Sequence, residues 1–232
     1  MLHRASNMDG FLNKAKRVTL FAGHYGSGKT NVAVNYSLLL KKAGHDVMIA
    51  DLDIVNPYFR TKDSADELEK NGIKLISSEY AGSNVDLPAL PSEIYSLVDI
   101  HDKCAVFDIG GDDRGATALG RYSDSIKAED NYELLLVINR YRPLSKTPEL
   151  AVEIMHEIEV AANMRFTGIV NDSNLGEETT PETVLESVPY AEEVSRLTGL
   201  PIRFTTVTKK IYAEVKDKIP DLMEIHLQDK IV

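Results

Sequence analysis

The chain has 232 residues, with 36 Asp and Glu against 26 Lys and Arg, for a net charge of −10. That length suits one α/β domain with a substantial core, and the acidity argues against an extended nucleic-acid footprint, which needs a basic face. The lone cysteine, Cys104, excludes a disulfide framework and a cysteine-cluster metal site within one chain.

No run is apolar enough for long enough to span a bilayer, and no signal peptide is read. The expectation is a cytoplasmic protein without stable membrane insertion. In chain order, residues 1–16 are polar with scattered apolar positions, as in a loosely held arm. Val18 to Ala22 is an apolar run and predicts the first strand. The next residues are Gly23-His24-Tyr25-Gly26-Ser27-Gly28-Lys29-Thr30, followed by a segment to Ala43 with Val32, Ala33, Tyr36, Leu39 and Leu40 at helical spacing. Gly44 then closes the helix.

This is G-x-x-x-x-G-K-[ST] between a strand and a helix, the pattern and context of a P-loop. Glycines let successive N–H groups turn inward toward phosphate oxygens, and the helix N-terminus adds unpaired N–H groups and partial positive charge. Lys29 can reach the β- and γ-phosphates, and the Thr30 hydroxyl can ligand Mg²⁺. The nucleotide-binding candidates are therefore Gly23, His24, Tyr25, Gly26, Ser27, Gly28, Lys29, Thr30 and Asn31. Two alternatives stand beside this: a glycine-rich turn that binds nothing, and a G-x-G-x-x-G dinucleotide fingerprint, which fails because its third glycine falls on Asn31.

Asp46 to Ala50 predicts a second buried strand, delivering Asp51-Leu52-Asp53 to the carboxyl edge of the sheet, where ligands of such folds bind. Carboxylates there can serve a metal or an attacking water; turn chemistry and a ribose contact are the competing uses. Ser64 to Asn71 reads as a short helix and Lys74 to Ser77 as a short strand. Ser78 to Pro91 holds two close prolines and is either a functional loop or a connector. Cys104 to Phe107 is another buried strand, ending in Asp108-Ile109-Gly110-Gly111. Asp108 stands where a magnesium-supporting acid belongs, and Gly110 and Gly111 would let the backbone approach the γ-phosphate; a plain strand-to-helix turn is the alternative.

Glu133 to Ile138 predicts a strand, followed by Asn139-Arg140-Tyr141-Arg142-Pro143. Thr147 and Pro148 open a helix whose apolar stripe is Leu150, Ala151, Ile154, Met155, Ile158 and Ala162. Phe166 to Val170 is the next strand, ending in Asn171, which can equally be a turn residue. Thr180-Pro181 repeats the helix-opening pair, Pro189 to Leu197 reads as a further helix, Pro201 to Val207 as a last strand, and Lys209 onward as helical with a final turn or helix from Pro220. The β-α-β alternation predicts an α/β three-layer sandwich, a mostly parallel central sheet with helices on both faces, as a single domain over 1–232.

The P-loop, Asp51-Leu52-Asp53, Asp108-Ile109-Gly110-Gly111 and Gly168-Ile169-Val170-Asn171 together resemble the MinD/ParA/CobQ-type P-loop ATPases, over residues 17 to 207. The resemblance implies ATP or ADP with Mg²⁺, Lys29 and Asp53 as catalytic residues, and Thr30, Asp53 and Asp108 around the metal. It also implies that Asp53 positions the attacking water, that Gly111 lies at the nucleotide and that Asn171 holds the adenine. The chain is similar as well to a less characterised ATP-binding branch with Asp-Ile-Val-Asn-Pro-Tyr-Phe-Arg and Asn-Leu-Gly-Glu-Glu-Thr segments. It departs from many members in carrying His24, with Tyr25 beside it, where a signature lysine and a glycine are usual. Histidine is mostly neutral near pH 7, so slow or partner-activated hydrolysis is expected. The N-K-x-D pattern that reads guanine in many GTPases is missing, since Asn139-Arg140-Tyr141-Arg142 lacks its acid.

The leading function is an ATP-dependent switch, its state read by a homodimer or another protein partner. The alternative is an ATP-dependent small-molecule enzyme resembling the cobyrinate amidases and dethiobiotin synthetases. DNA partition is disfavoured by the acidity. The segment Ile219 to Val232 is expected to dock on the protein's own surface rather than on a membrane.

Overall fold

The strands are β1 (Val18–Ala22), β2 (Val47–Leu52), β3 (Lys74–Ser77), β4 (Cys104–Ile109), β5 (Tyr132–Ile138), β6 (Gly168–Asn171), β7 (Ile202–Thr208) and β8 (Leu222–Ile225). In this computed structural model, residues 12, 15–52, 64–77, 94, 97, 101–111 and 113–227 are described. The eight strands form one sheet in the order β3-β2-β4-β1-β5-β6-β7-β8, and every neighbouring pair is parallel. β1 and β2 are buried at every position, because helices cover both faces of a parallel sheet.

One face carries α1 (Lys29–Lys42) and α2 (Ala65–Lys70); their Val32, Tyr36, Leu40 and Leu68 pack with Phe21, Ile49 and Val106. The other carries α3 (Asp113–Gly120), α4 (Ser123–Glu129), α5 (Pro148–Ala162) and α6 (Pro181–Thr198), packed on Val18, Leu20, Ala22 and Phe107. The two clusters draw on alternate residues of β1, the period-2 rule of a strand. A smaller cluster joins α6, α7 (Lys209–Val215) and β8 through Val184, Val207, Ile211, Val215 and Leu222. This is the expected three-layer α/β sandwich.

Two local expectations change. Helix α6 does not begin at Pro189: it runs from Pro181, with Thr180 and Thr183 exchanging capping hydrogen bonds, and passes through Pro189. An interior proline removes one backbone hydrogen bond, yet Val184 and Ser187 on one side of it and Tyr190, Ala191 and Val194 on the other are all buried, so packing holds both halves in line. The segment after Pro220 is strand β8 rather than a turn or helix. Asp221 turns the chain with a φ of 51°, and Leu222, Met223 and Ile225 are buried as β8 pairs with the edge of β7. Cys104 is half-buried, and burial raises its thiol pKa. Of the N-terminal arm, Leu12 is buried and its carbonyl meets His45 Nε2 at 3.1 Å.

The connection leaving β1 runs to β2, on one side, and the connection leaving β4 runs to β5, on the other. β1 and β4 are neighbours, so the switch point of the sheet lies between their carboxyl ends. The P-loop stretch and Asp108 are the residues placed there.

Candidate functional site

Gly28 is the N-cap of α1, with a φ of 95° that side-chain-bearing residues rarely adopt. Among the described residues no side chain caps this helix, and its first turn contains no acid, which leaves its N-terminal dipole and N–H groups for an anion. Lys29 follows, only 4% exposed, and its Nζ donates to the carbonyl of His24 at 3.3 Å. The ammonium thus spans the loop and rests on a neutral carbonyl, a modest partner for a buried charge. Ser27 Oγ is buried inside the loop with no hydrogen-bond partner among the described residues. A phosphate oxygen would satisfy both groups.

The Thr30 hydroxyl donates to Asp108 Oδ2 at 2.7 Å, and Asp108 is completely buried. Asp51 on β2 sits in register with Asp108 on β4. Both carboxylates follow, at a spacing of two, residues packed under α1, so they share the face on which the P-loop helix lies. Among the described residues, no group of three or more His, Cys, Asp or Glu could hold a metal by itself. The donor set fits Mg²⁺ in the manner of a nucleotide site, where one or two protein oxygens, phosphates and water complete the shell. Thr30 and Asp108 would hold it. Asp53 lies outside the described residues, as does the loop from Ser78 to Pro91.

His24 Nδ1 lies 2.9 Å from the carbonyl of Tyr25. That bond requires the ring to donate from Nδ1, so here the imidazole shapes the loop. Tyr25 is half exposed. Gly111 packs directly beneath this pair: a Cβ built on it would stand 2.6 Å from Tyr25 N and 2.9 Å from Tyr25 Cα. Gly111 is therefore required by its close approach to the backbone of the loop from Gly23 to Thr30. Asn31 is half-buried in the first turn of α1, and its carbonyl accepts from Asn35 Nδ2 at 2.8 Å. Asn171 is completely buried; its Nδ2 donates to Ser187 Oγ at 2.8 Å and its Oδ1 accepts from Ser173 N at 3.3 Å. In this arrangement its side chain ties the end of β6 to α6.

Two residues at this edge were not among the sequence candidates. Asp172, one residue beyond β6, is 1% exposed, and a Cβ on Gly28 would collide with its Oδ2. Its Oδ2 accepts from Asn174 Nδ2 at 3.0 Å and its Oδ1 from the Thr206 hydroxyl. Burial pushes its pKa up to about 7, against the Thr206 hydrogen bond, the charge of Arg142 and the Asn174 hydrogen bond. Arg142, in the loop after β5, donates from Nε to the carbonyl of Gly26 at 2.7 Å. The signal for both was available: each follows a strand that ends at the ligand edge of the sheet, the edge to which β4 brings Asp108.

No family model and no curated protein matches the chain. Solved structures match it in shape. The cell division protein FtsY of Thermotoga maritima superposes with a TM-score of 0.59 at 19% identity, over 84% of this chain and 62% of that one. FtsY of Mycoplasma mycoides gives 0.56 at 17% identity, over 90% and 66%. The signal recognition particle receptor FtsY of Elizabethkingia anophelis, solved in complex with GDP, gives 0.51 at 17%, over 84% and 58%. The chain spans less than two thirds of the length of each. At these identities the likeness is one of fold, a parallel α/β sandwich.

Proposed function

We propose that this chain binds a nucleoside triphosphate with Mg²⁺ and works as a nucleotide-dependent switch. The observation that carries this is the loop from Gly23 to Thr30 at the switch point of the sheet. There a buried Lys29 ammonium and the Ser27 hydroxyl face inward, with Thr30 hydrogen-bonded to Asp108. In this reading Lys29 gives up the His24 carbonyl for phosphate oxygens, and the loop N–H groups and the α1 dipole hold the rest of the charge. Mg²⁺, when bound, neutralises charge on the phosphates and orients them. Asp53 is assigned to the attacking water on its motif position alone, and residues 1–232 are taken as a single domain.

ATP is the preferred nucleotide, on the MinD/ParA/CobQ-type motifs and the missing N-K-x-D. GTP is the second reading, favoured by the GDP bound to the Elizabethkingia anophelis receptor of similar fold. Calorimetric titration of the Mg²⁺ complexes of ATP, ADP, GTP and GDP tests both. Lys29→Ala should weaken triphosphate binding by about tenfold or more while the protein stays folded, because it removes charge-assisted hydrogen bonds. Unchanged affinity in a folded Lys29→Ala protein would sink the assignment. No helix among the described residues is long and apolar enough to cross a membrane.

A further inference from the structure

We propose that Arg142 is the second cation of the phosphate site, held against the P-loop by the loop after β5, and that it supplies from the chain's own fold the charge that His24 does not. The inference rests on the nucleotide reading above. The guanidinium bonds the Gly26 carbonyl through Nε, and a Cβ on Gly26 would find Arg142 Nε, Cδ and Cζ at 3.5, 3.7 and 3.8 Å. The head group therefore lies against the middle of the loop. Among the described residues, one of its five N–H donors is engaged and no carboxylate forms an ion pair with it. Asp172 feels its charge without bonding it.

The placement is built rather than incidental. Asn139 is fully buried; its Oδ1 accepts from Tyr141 N at 3.0 Å, and its carbonyl accepts from Arg142 N at 3.2 Å and Ser145 Oγ at 2.8 Å. Arg140 N donates to Ser173 Oγ at 3.1 Å, Tyr141 OH to the Thr183 carbonyl at 2.8 Å, and Tyr190 OH to the Ser145 carbonyl at 2.6 Å. The backbone on both sides of Arg142 is thus pinned to the loop after β6 and to α6, and a long side chain that would otherwise sample solvent is aimed at Gly26. A triphosphate carries several negative charges, and Lys29 supplies one positive charge. A guanidinium bonded to the Gly26 carbonyl adds a second positive charge beside that loop, and the donors that the described residues leave unengaged can fork onto phosphate oxygens.

The test measures affinities for Mg-ATP, Mg-ADP and AMP, each over a salt series, in wild type, Arg142→Gln and Arg142→Lys, with thermal melts to verify folding. Arg142→Gln should weaken ATP binding by about tenfold, weaken ADP less and AMP least, and flatten the salt dependence. Arg142→Lys should restore most of the ATP affinity and the salt slope. Equal losses for all three nucleotides with an unchanged salt slope would overturn the proposal, making Arg142 a prop for the loop. So would a lysine variant as weak as the glutamine one, or a glutamine variant that binds like wild type. A wild type that binds no nucleotide at all would instead remove the nucleotide reading and this role with it.

Discussion

Removing the charge of Asp172 should stabilise the protein at alkaline pH and leave it nearly unchanged at acid pH. Its carboxyl is 1% exposed, and burial moves its pKa from 3.8 up to about 7. Between those values the native state holds a proton that the unfolded chain has released, so stability falls as pH rises through the window. A shift of about three units at about 1.36 kcal/mol each sets a ceiling of about 4 kcal/mol lost above pH 7. Asp172→Asn abolishes that cost while keeping the local bonds: the amide oxygen can accept from Asn174, and the amide nitrogen can donate to the Thr206 hydroxyl, which turns to receive it. The facing charge, Arg142, is unchanged. Urea denaturation at pH 4, 5, 6, 7 and 8 should give nearly overlapping curves for the two proteins at pH 4 and an advantage to the variant that grows with pH to about 1–4 kcal/mol at pH 8. A difference that is the same at pH 5 and pH 8 would refute the reasoning, because the carboxyl would then not titrate in this window.

Gly28→Ala should lower the melting temperature and abolish nucleotide binding together, since a Cβ there meets the Asp172 carboxylate at a φ of 95°; circular dichroism melts and calorimetry on one sample check both. Asp108→Asn keeps an acceptor for Thr30 but loses the charge near the metal, so affinity for metal-free nucleotide should hold while the gain on adding Mg²⁺ shrinks, as read in paired titrations. His24→Gln should bind and turn over nucleotide as wild type does across pH 5.5 to 8.5, because among the described residues the ring bonds the Tyr25 carbonyl alone; a changed pH profile of steady-state turnover would restore His24 as a catalytic group.

By itself the sequence determined whatever is written in adjacent residues. The apolar runs at Val18 to Ala22 and Cys104 to Phe107, the glycine spacing from Gly23 to Gly28, and the Thr147-Pro148 and Thr180-Pro181 openings act through local backbone preference and period, and each stands where that chemistry put it. The sequence placed Thr30 at the start of a helix and Asp108 at the end of a strand, and the hydrogen bond between them came from the fold. Contacts across the sheet were decided only by the tertiary structure. Pro189 looks like a helix start until buried neighbours on both sides hold α6 through it. Leu222 to Ile225 has no strand pattern of its own and becomes one because β7 offers an open edge. Arg142 and Asp172 belong to the loops after β5 and β6, more than a hundred residues from the P-loop. Their meaning comes from the strand order that sets those loops beside Gly26 and Gly28, and strand order is fixed by the burial of whole faces, which no short window of sequence contains.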